Sequence, residues 1–237
     1  MTQLTPANAE RLRQAFLLCR DMEGSLRERL EAYAAAGRDI FPAYSEAVDR
    51  LVERLKQNGG GESAPQPGEA MPPFMLPDQD GRIVRLEALI SDGPLVVSFN
   101  RGHWCPFCRI ELEAFDRAHA ELLELGARVV SIMPDRQPFT RELAARLRNP
   151  LTILSDIDND YALALGLAMW VGTDIKNLLV DDGTMLPHFQ GSSAWVLPLP
   201  ATFVLRRDSR VAARYVNPDF RERMEISAVL AALKDLR

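Results

Sequence analysis

The sequence has few cysteines and lacks long apolar segments. Its three cysteines, Cys19, Cys105 and Cys108, are too few and odd in number for the disulfide framework of a secreted protein. No apolar run approaches the ~20 residues that a membrane-spanning helix requires. The first residues also lack the basic and apolar regions of a signal peptide. We therefore expect a protein of the reducing cytoplasm with no membrane partner.

An excess of positive charge is also absent, because the formal net charge is −5. Arginines alternate with acidic residues along apparent helices, as in Arg27-Glu28-Arg29, and solvated helix faces account for them. The sequence therefore predicts no nucleic-acid partner. A structural zinc site usually takes two Cys/His pairs, and Cys105 and Cys108 have no second pair. No glycine-rich phosphate loop or dinucleotide fingerprint follows a predicted strand, so we expect neither a metal nor another cofactor.

The chain divides into three segments by pattern. Apolar residues recur at helical spacing from Leu12 to Tyr33 and again from Tyr44 to Leu55, which predicts two helices with Gly37 as the stop between them. A run of Gly, Ser and Pro without apolar periodicity follows and predicts a linker that does not order itself. The predicted units are an N-terminal helical extension at 1–57, a linker at 58–71 and a folded domain at 72–237.

The domain alternates between strand-like and helical patterns. Such βαβ alternation predicts an α/β fold with a largely parallel sheet and helices on both faces, to which a closing hairpin adds antiparallel strands at one side. The stretch from Ala168 to Pro198 is weakly patterned, and we expect a surface connector there. The predicted strands are 95–99, 128–133 and 151–154, the helices are 105–125, 138–148, 160–167 and 226–236, and the hairpins are 74–86 and 202–215.

The segment Trp104-Cys-Pro-Phe-Cys108 lies where a buried strand ends and a helix begins. Open α/β sheets bind ligands beyond the carboxyl ends of their strands. Pro106 suits the first helical turn, which puts Cys105 at the helix N-terminus. Free N–H groups and the helix dipole stabilise a thiolate there, and Arg101 and His103 add positive charge. We therefore expect a Cys105 thiol that ionises readily.

Cys108 follows one helical turn later on the same helix face. A sulfur at that spacing can attack an oxidised Cys105, or a mixed disulfide on it, without large backbone motion. The attacking sulfur is expected to be exposed and the resolving one shielded. The spacing thus predicts Cys105 as the catalytic nucleophile and Cys108 as its resolving partner. Cys19 lies on an apolar helical stripe and is expected in the core.

From about residue 68 to 236 the chain resembles the peroxiredoxin superfamily, specifically the alkyl hydroperoxide reductase/thiol-specific antioxidant group. The resemblance lies in an ordered series of motifs that includes Pro72-Pro-Phe-Met-Leu, Trp104-Cys-Pro-Phe-Cys108 and Ala201-Thr-Phe-Val-Leu205. It implies a thioredoxin-like fold with a central mixed sheet flanked by helices, and a thiol peroxidase activity. The helices of 1–57 are not part of the usual family core.

Two positions depart from the family pattern. The hydroxyl residue three positions before the family's cysteine is Gly102 here, and the arginine just before the Ala-Thr-Phe strand is Pro200. We expect Arg101 and the Gly102 N–H to supply the missing contacts. A proline at that place is similar to thioredoxin, in which a cis-proline faces the active sulfur. That similarity implies a cis Pro200 which, with Trp104, borders a docking groove.

Three functions remain open at this point. A peroxidase would use Cys105 to reduce a hydroperoxide, form a disulfide with Cys108 and be reset by a thioredoxin- or glutaredoxin-type dithiol. A thiol–disulfide oxidoreductase would use the same pair on a disulfide substrate. A redox sensor would form the disulfide without turnover. The N-terminal helices have apolar stripes that can pack on each other, on the domain or on a second subunit, which leaves a homodimer open.

Overall fold

The N-terminal segment contains three helices in the computed structural model, which describes residues 4–237. They are α1 (Pro6–Asp21), α2 (Leu26–Ile40) and α3 (Pro42–Gln57). The prediction of two helices is wrong because a local cap interrupts the continuous apolar stripe. Ser25 Oγ accepts the Glu28 N–H at 3.2 Å, and the Glu28 carboxylate accepts the Ser25 N–H at 2.8 Å, which together start α2.

Gly37, the predicted helix stop, lies inside α2. The helix continues to Ile40 and ends ahead of Pro42, the first residue of α3. Gly37 makes the usual hydrogen bonds of a helix. It lowers the stability of α2 through the conformational entropy of glycine but does not end the helix. Proline, which cannot continue a helix, sets the boundary instead.

Residues 58–71 are folded onto the domain. Ala64 and Met71 are buried, and the Arg214 side chain donates to the carbonyls of Gly61 and Ala64. The prediction that composition keeps this segment from ordering is therefore wrong. The guanidinium of Arg214, which is distant in sequence, donates to the backbone carbonyls of this segment. No local sequence pattern shows that contact.

The strands form one five-stranded sheet and two small ones. They are β1 (Met75–Pro77), β2 (Ile83–Arg85), β3 (Leu95–Phe99), β4 (Arg128–Met133), β5 (Thr152–Ser155), β6 (Ala168–Trp170), β7 (Val196–Pro198), β8 (Ala201–Leu205) and β9 (Val211–Val216). In the main sheet, β3, β4 and β5 are parallel, β8 pairs antiparallel with β3, and β9 pairs antiparallel with β8, in the order β5-β4-β3-β8-β9. The predicted mixed sheet with its antiparallel addition at one side is confirmed.

The remaining helices flank this sheet. They are α4 (Leu86–Ile90), α5 (Pro106–Arg117), α6 (His119–Glu124), α7 (Gln137–Ala144), α8 (Asp160–Ala164), α9 (Thr173–Asp181), α10 (Leu186–Gln190) and α11 (Ile226–Lys234). The predicted helix at 105–125 is divided at Ala118 into α5 and α6, and the expected connector at 168–198 carries β6, α9, α10 and β7. Within residues 4–237 no helix combines the length and the apolar character needed to cross a membrane.

The N-terminal helices pack on the domain of the same chain. The rings of Tyr33 and Phe107 meet edge to face with centroids 5.1 Å apart, and the Arg109 guanidinium lies 4.2 Å from the Phe16 ring centroid. Phe107 and Arg109 belong to α5, the helix that begins after Cys105. Cys19 is buried in the shared core, as predicted. The extension therefore covers the N-terminal end of α5.

Candidate active site

The chain leaves β3 through a tight turn that sets the position of Cys105. Gly102 has φ +142°, and a Cβ at this position would lie 2.5 Å from Trp104 Nε1 and 2.9 Å from Asp135 Oδ1. Only glycine fits this turn without displacement of its neighbours. The Gly102 carbonyl accepts the Cys105 N–H at 3.1 Å. Cys105 is thereby the N-cap of α5 and Pro106 its first residue, which is the placement that the sequence predicts.

Both sulfurs are buried. Cys105 is 1% exposed and Cys108 is 0% exposed, and both are free thiols. The expectation of an exposed attacking sulfur is therefore wrong. The N-terminal extension packs over the start of α5 and lines the space beside Cys105, a contact that the sequence pattern does not show. Access to Cys105 is through a cavity of about 180 Å³ that it lines together with Arg101, Trp104 and Phe220.

Two arginines surround the sulfurs. Arg101 Nη1 lies 3.9 Å from Cys105 Sγ, and the Arg101 backbone N–H donates to Cys108 Sγ at 3.3 Å. Arg223 Nη2 lies 3.6 Å from Cys108 Sγ. Arg101 therefore lies beside Cys105, as the sequence predicts.

These neighbours separate the acidities of the two thiols. Burial opposes ionisation of Cys105, but a hydrogen bond from the Cys108 thiol and the charges of Arg101 and Arg223 outweigh it and hold the pKa of Cys105 well below its ordinary value. Burial and the adjacent Cys105 sulfur raise the pKa of Cys108 well above its ordinary value. The pair therefore carries one thiolate, on Cys105, and one thiol, on Cys108, at neutral pH.

Arg223 is a site residue that sequence reasoning missed. It lies after β9, 115 residues beyond Cys108, and its Nε donates to Glu111 Oε2 at 3.1 Å. Glu111 also accepts the Thr202 hydroxyl at 3.4 Å, and both members of the ion pair are buried. The available signal was Glu111 itself, which follows Cys108 by three residues on the apolar face of α5. A carboxylate at a buried position requires a cation.

Arg101 is held by aromatic rings rather than by a carboxylate. Its guanidinium carbon lies 3.7 Å from the Phe220 ring centroid and 5.1 Å from that of Trp104. Its Nε and Nη2 are buried and have no hydrogen-bond partner among residues 4–237. Buried donors of this kind gain free energy from any ligand oxygen that reaches them. Arg101 therefore offers unused N–H groups beside the Cys105 sulfur.

His103 and Pro200 are not on the cavity wall. The His103 N–H and Nδ1 both meet Asp135 Oδ2, at 2.6 and 2.7 Å, and the ring stacks on Phe139 with centroids 4.7 Å apart. The His103 ring is thus held against the Asp135 carboxylate and not beside the sulfur, where the sequence placed it. Trp104, the other expected border of a docking groove, does line the cavity.

The implied cis geometry of Pro200 is wrong. Residues 4–237 contain no cis peptide bond. Pro200 is buried in the short connection from β7 to β8, and the preceding Leu199 N–H donates to the Leu167 carbonyl at 2.6 Å. This bond continues the pairing of β7 with β6 by one residue before the chain enters β8.

The described residues contain no cluster of three or more His, Cys, Asp or Glu side chains suited to hold a metal ion. The reactive groups that line the site are its two sulfurs, and the guanidinium groups of Arg101 and Arg223 are the charges beside them.

Comparison with known proteins places the chain in a family. Residues 67–214, more than half of the chain, match the AhpC/TSA family. The chain belongs to the AhpC/TSA family. The match includes Cys105, Cys108 and Arg101, whereas the helices of 4–57 and the segment with Phe220 and Arg223 lie outside it. The two parts of the AhpC/TSA-family site that sequence reasoning missed thus come from outside the matched region.

Curated relatives of this AhpC/TSA-family chain are peroxiredoxins. It is 35% identical over 92 residues to the chloroplastic peroxiredoxin Q of Sedum lineare, a match that covers 39% of this chain and 49% of the relative. It is 33% identical over 100 residues to a putative peroxiredoxin of Mycobacterium tuberculosis, covering 42% and 65% of the two chains. The chain thus spans about half the length of the first of these relatives.

Solved structures with the same fold extend the comparison. Peroxidoxin BcpB of Mycobacterium tuberculosis aligns with a TM-score of 0.57 and 25% identity over 73% of this chain and 99% of the other. Peroxiredoxin 6 of Arenicola marina aligns with a TM-score of 0.58 and 16% identity over 72% of this chain and 73% of the other, a likeness of fold alone. The thioredoxin-like fold predicted for this AhpC/TSA-family chain is confirmed.

Proposed function

We propose that this protein is a thiol peroxidase that reduces hydroperoxides with Cys105 as the nucleophile. The observation that carries the proposal is the position of Arg101 beside the Cys105 sulfur: Nη1 lies 3.9 Å from Sγ, and Nε and Nη2 are unpartnered among the described residues. These surroundings lower the pKa of Cys105. A thiolate supplies the electron pair, and the guanidinium donors meet the oxygens where negative charge develops. Family membership supports the same chemistry.

The proposed catalytic cycle needs only the two cysteines, the hydroperoxide and one dithiol donor. The Cys105 thiolate attacks one peroxide oxygen, so an S–O bond forms, the O–O bond breaks, and the alkoxide leaves as an alcohol after it takes up a proton. Cys105 is then a sulfenic acid. The Cys108 thiol attacks that sulfur, which forms the disulfide and releases water. A thioredoxin- or glutaredoxin-type dithiol reduces the disulfide and becomes oxidised itself.

Burial of Cys105 favours a peroxide over a protein disulfide as the oxidant. A peroxide needs only the cavity, whereas a protein disulfide would need the helices α1–α3 to move off the start of α5. Pro200, which the disulfide hypothesis placed at the border of a docking groove, does not line the cavity. The redox-sensor hypothesis differs from the peroxidase hypothesis in turnover alone. Sustained peroxide consumption in the presence of a dithiol donor distinguishes the two.

The test is stopped-flow oxidation of the reduced protein by hydrogen peroxide, tert-butyl hydroperoxide and cumene hydroperoxide, each compared with an oxidised dithiol. We expect at least one hydroperoxide to react far faster than with a free thiol. Cys105→Ser should abolish that reaction, and Cys108→Ser should retain it but stop at the sulfenic acid. Cys19→Ala, which removes a core thiol away from the cavity, serves as the matched control.

Rates equal to those of a free thiol for all three hydroperoxides would contradict the proposal. A faster reaction with the oxidised dithiol would assign the protein to disulfide exchange instead. Oxidation without sustained peroxide consumption in the presence of thioredoxin or glutaredoxin and their reductases would assign it to sensing.

A further inference from the structure

The cavity beside Cys105 is lined from inside and outside the region that matches the family. Arg101, Trp104 and Cys105 form one wall within the matched region. The N-terminal helices, which lie outside the match, supply a second wall that is mostly apolar or aromatic. This second wall contains Leu12, Tyr33, Ala34, Phe41, Tyr44 and Val48, together with Ser45. The rest of the lining includes Leu179, Asp182, Thr184, Phe220 and Arg221.

The helices that supply this second wall are fixed to the domain. The edge-to-face contact of Tyr33 with Phe107 joins α2 to α5, and the Arg109 guanidinium over the Phe16 ring joins α5 to α1. Phe16, Tyr33 and Val48 belong to the same buried core as Phe107. The cavity is therefore a preformed part of the fold rather than a gap between loosely held segments.

The size and lining of the cavity define the ligand that it fits. Its volume is about 180 Å³, and an apolar cavity of about 150 Å³ is large enough to take a benzene ring. Hydrogen peroxide fills little of this space and has no apolar surface, so it gains nothing from the aromatic wall. A ligand with an apolar body and a peroxide group can bury the body against the helices while the peroxide meets Arg101 and Cys105.

We propose that helices α1–α3 form a substrate chamber that selects hydroperoxides with a bulky apolar body over hydrogen peroxide. This inference rests on the peroxidase function proposed above. It assigns specificity to residues 4–57, a part of the chain that the family match does not include.

Gly37 gives a direct way to fill the chamber. It lines the cavity from within α2, and a Cβ added there meets no atom within 4 Å. Replacement of a glycine inside a helix by leucine also favours the helix, so the fold should be retained. Ala35, two residues away on the same helix, is exposed and is not on the cavity wall. Ala35→Leu is therefore a matched control for Gly37→Leu.

The experiment measures second-order rate constants for oxidation of Cys105 by cumene hydroperoxide and by hydrogen peroxide, using the full chain and stopped-flow detection. We expect the wild type to react at least about tenfold faster with cumene hydroperoxide. Gly37→Leu should lower the ratio of the two rate constants by about tenfold, since even one added methylene in a hydrophobic pocket has effects of this size. Ala35→Leu should leave the ratio unchanged.

The outcomes separate this inference from the proposed function. Equal or faster oxidation by hydrogen peroxide in the wild type, or the same ratio in Gly37→Leu and Ala35→Leu, would overturn the chamber while the peroxidase function stands. Failure of every hydroperoxide to exceed the free-thiol rate would overturn both. If Gly37→Leu does not fold, as judged by circular dichroism, Ala34→Leu fills the same wall and replaces it in the comparison.

Discussion

At the scale of single residues, the two arginines act on the sulfurs in different ways. Arg223 is paired with the buried Glu111 carboxylate, so much of its field is compensated locally. The Arg101 guanidinium lies against the rings of Phe220 and Trp104 and beside the Cys105 sulfur, and it forms no ion pair with a carboxylate of the described residues. After the hydrogen bond from Cys108, Arg101 is therefore the neighbour that lowers the pKa of Cys105 most, ahead of Arg223.

Replacement of Arg101 by methionine tests this dependence. We expect Arg101→Met to raise the pKa of Cys105 by about one to three units, because it removes an opposite charge from the buried thiolate. The pKa is measured from the pH dependence of thiolate absorbance near 240 nm or of alkylation by iodoacetamide. Arg128→Met, at an exposed arginine paired with Asp92, should leave it unchanged. An unaltered titration in Arg101→Met would remove Arg101 from the account of Cys105 reactivity.

How far the site could be predicted depends on sequence separation. Cys105, Cys108 and Arg101 were predicted because one strand end and one helix start bring them together. Arg223 and Glu111 could not be paired in advance, since their contact closes a long loop across the domain. A buried carboxylate shows that some cation is needed, but local pattern does not show which arginine of the many supplies it.

At the scale of elements, strands were easier to predict than the break between helices. All five residues of β3 are buried, so the apolar run that predicted it reflects burial on both faces of the sheet. The break between α1 and α2 was missed because both helices bury apolar residues in the same core and the periodicity continues across it. The boundary depends on a capping box of two residues, Ser25 and Glu28.

That cap gives a prediction for helix stability. Ser25→Ala should lower the free energy of unfolding by about 1 kcal/mol, because it leaves the Glu28 N–H in the first turn of α2 without its acceptor. Urea denaturation monitored by circular dichroism measures the change. Ser25→Thr keeps a hydroxyl acceptor and should retain most of the stability. Equal losses in both variants would show that packing at this position, rather than the cap, determines the effect.

At the scale of the whole molecule, the N-terminal extension and the domain share one hydrophobic core that contains the reactive Cys105. The family match begins at residue 67, yet the core extends without interruption from Phe16 to Phe220. The sequence periodicity showed that the N-terminal helices had an apolar face but not what the face covers. Its partner is a surface of α5, which pattern analysis could identify only as the buried side of another helix.

Because Cys105 is buried in this shared core, its ionisation is linked to the stability of the entire fold. The folded pKa of Cys105 lies well below the unfolded value of about 8.5. Between these two pH values the unfolded chain binds more protons than the native one, so stability rises with pH there. The contribution is fully present above about pH 8.5 and is lost as the pH falls through the folded pKa.

The comparison of the reduced wild type with Cys105→Ser isolates this contribution, since the other titrating groups are common to both. We expect the difference in free energy of unfolding to grow in favour of the wild type as the pH rises toward about 8, with a slope of at most about 1.4 kcal/mol per pH unit. Urea unfolding at a series of pH values under a reducing agent measures it. Cys108, whose folded pKa is raised, affects only the range above its unfolded value. Parallel stability profiles for the two proteins would show that Cys105 is protonated in the native state and would refute the thiolate on which the proposed chemistry depends.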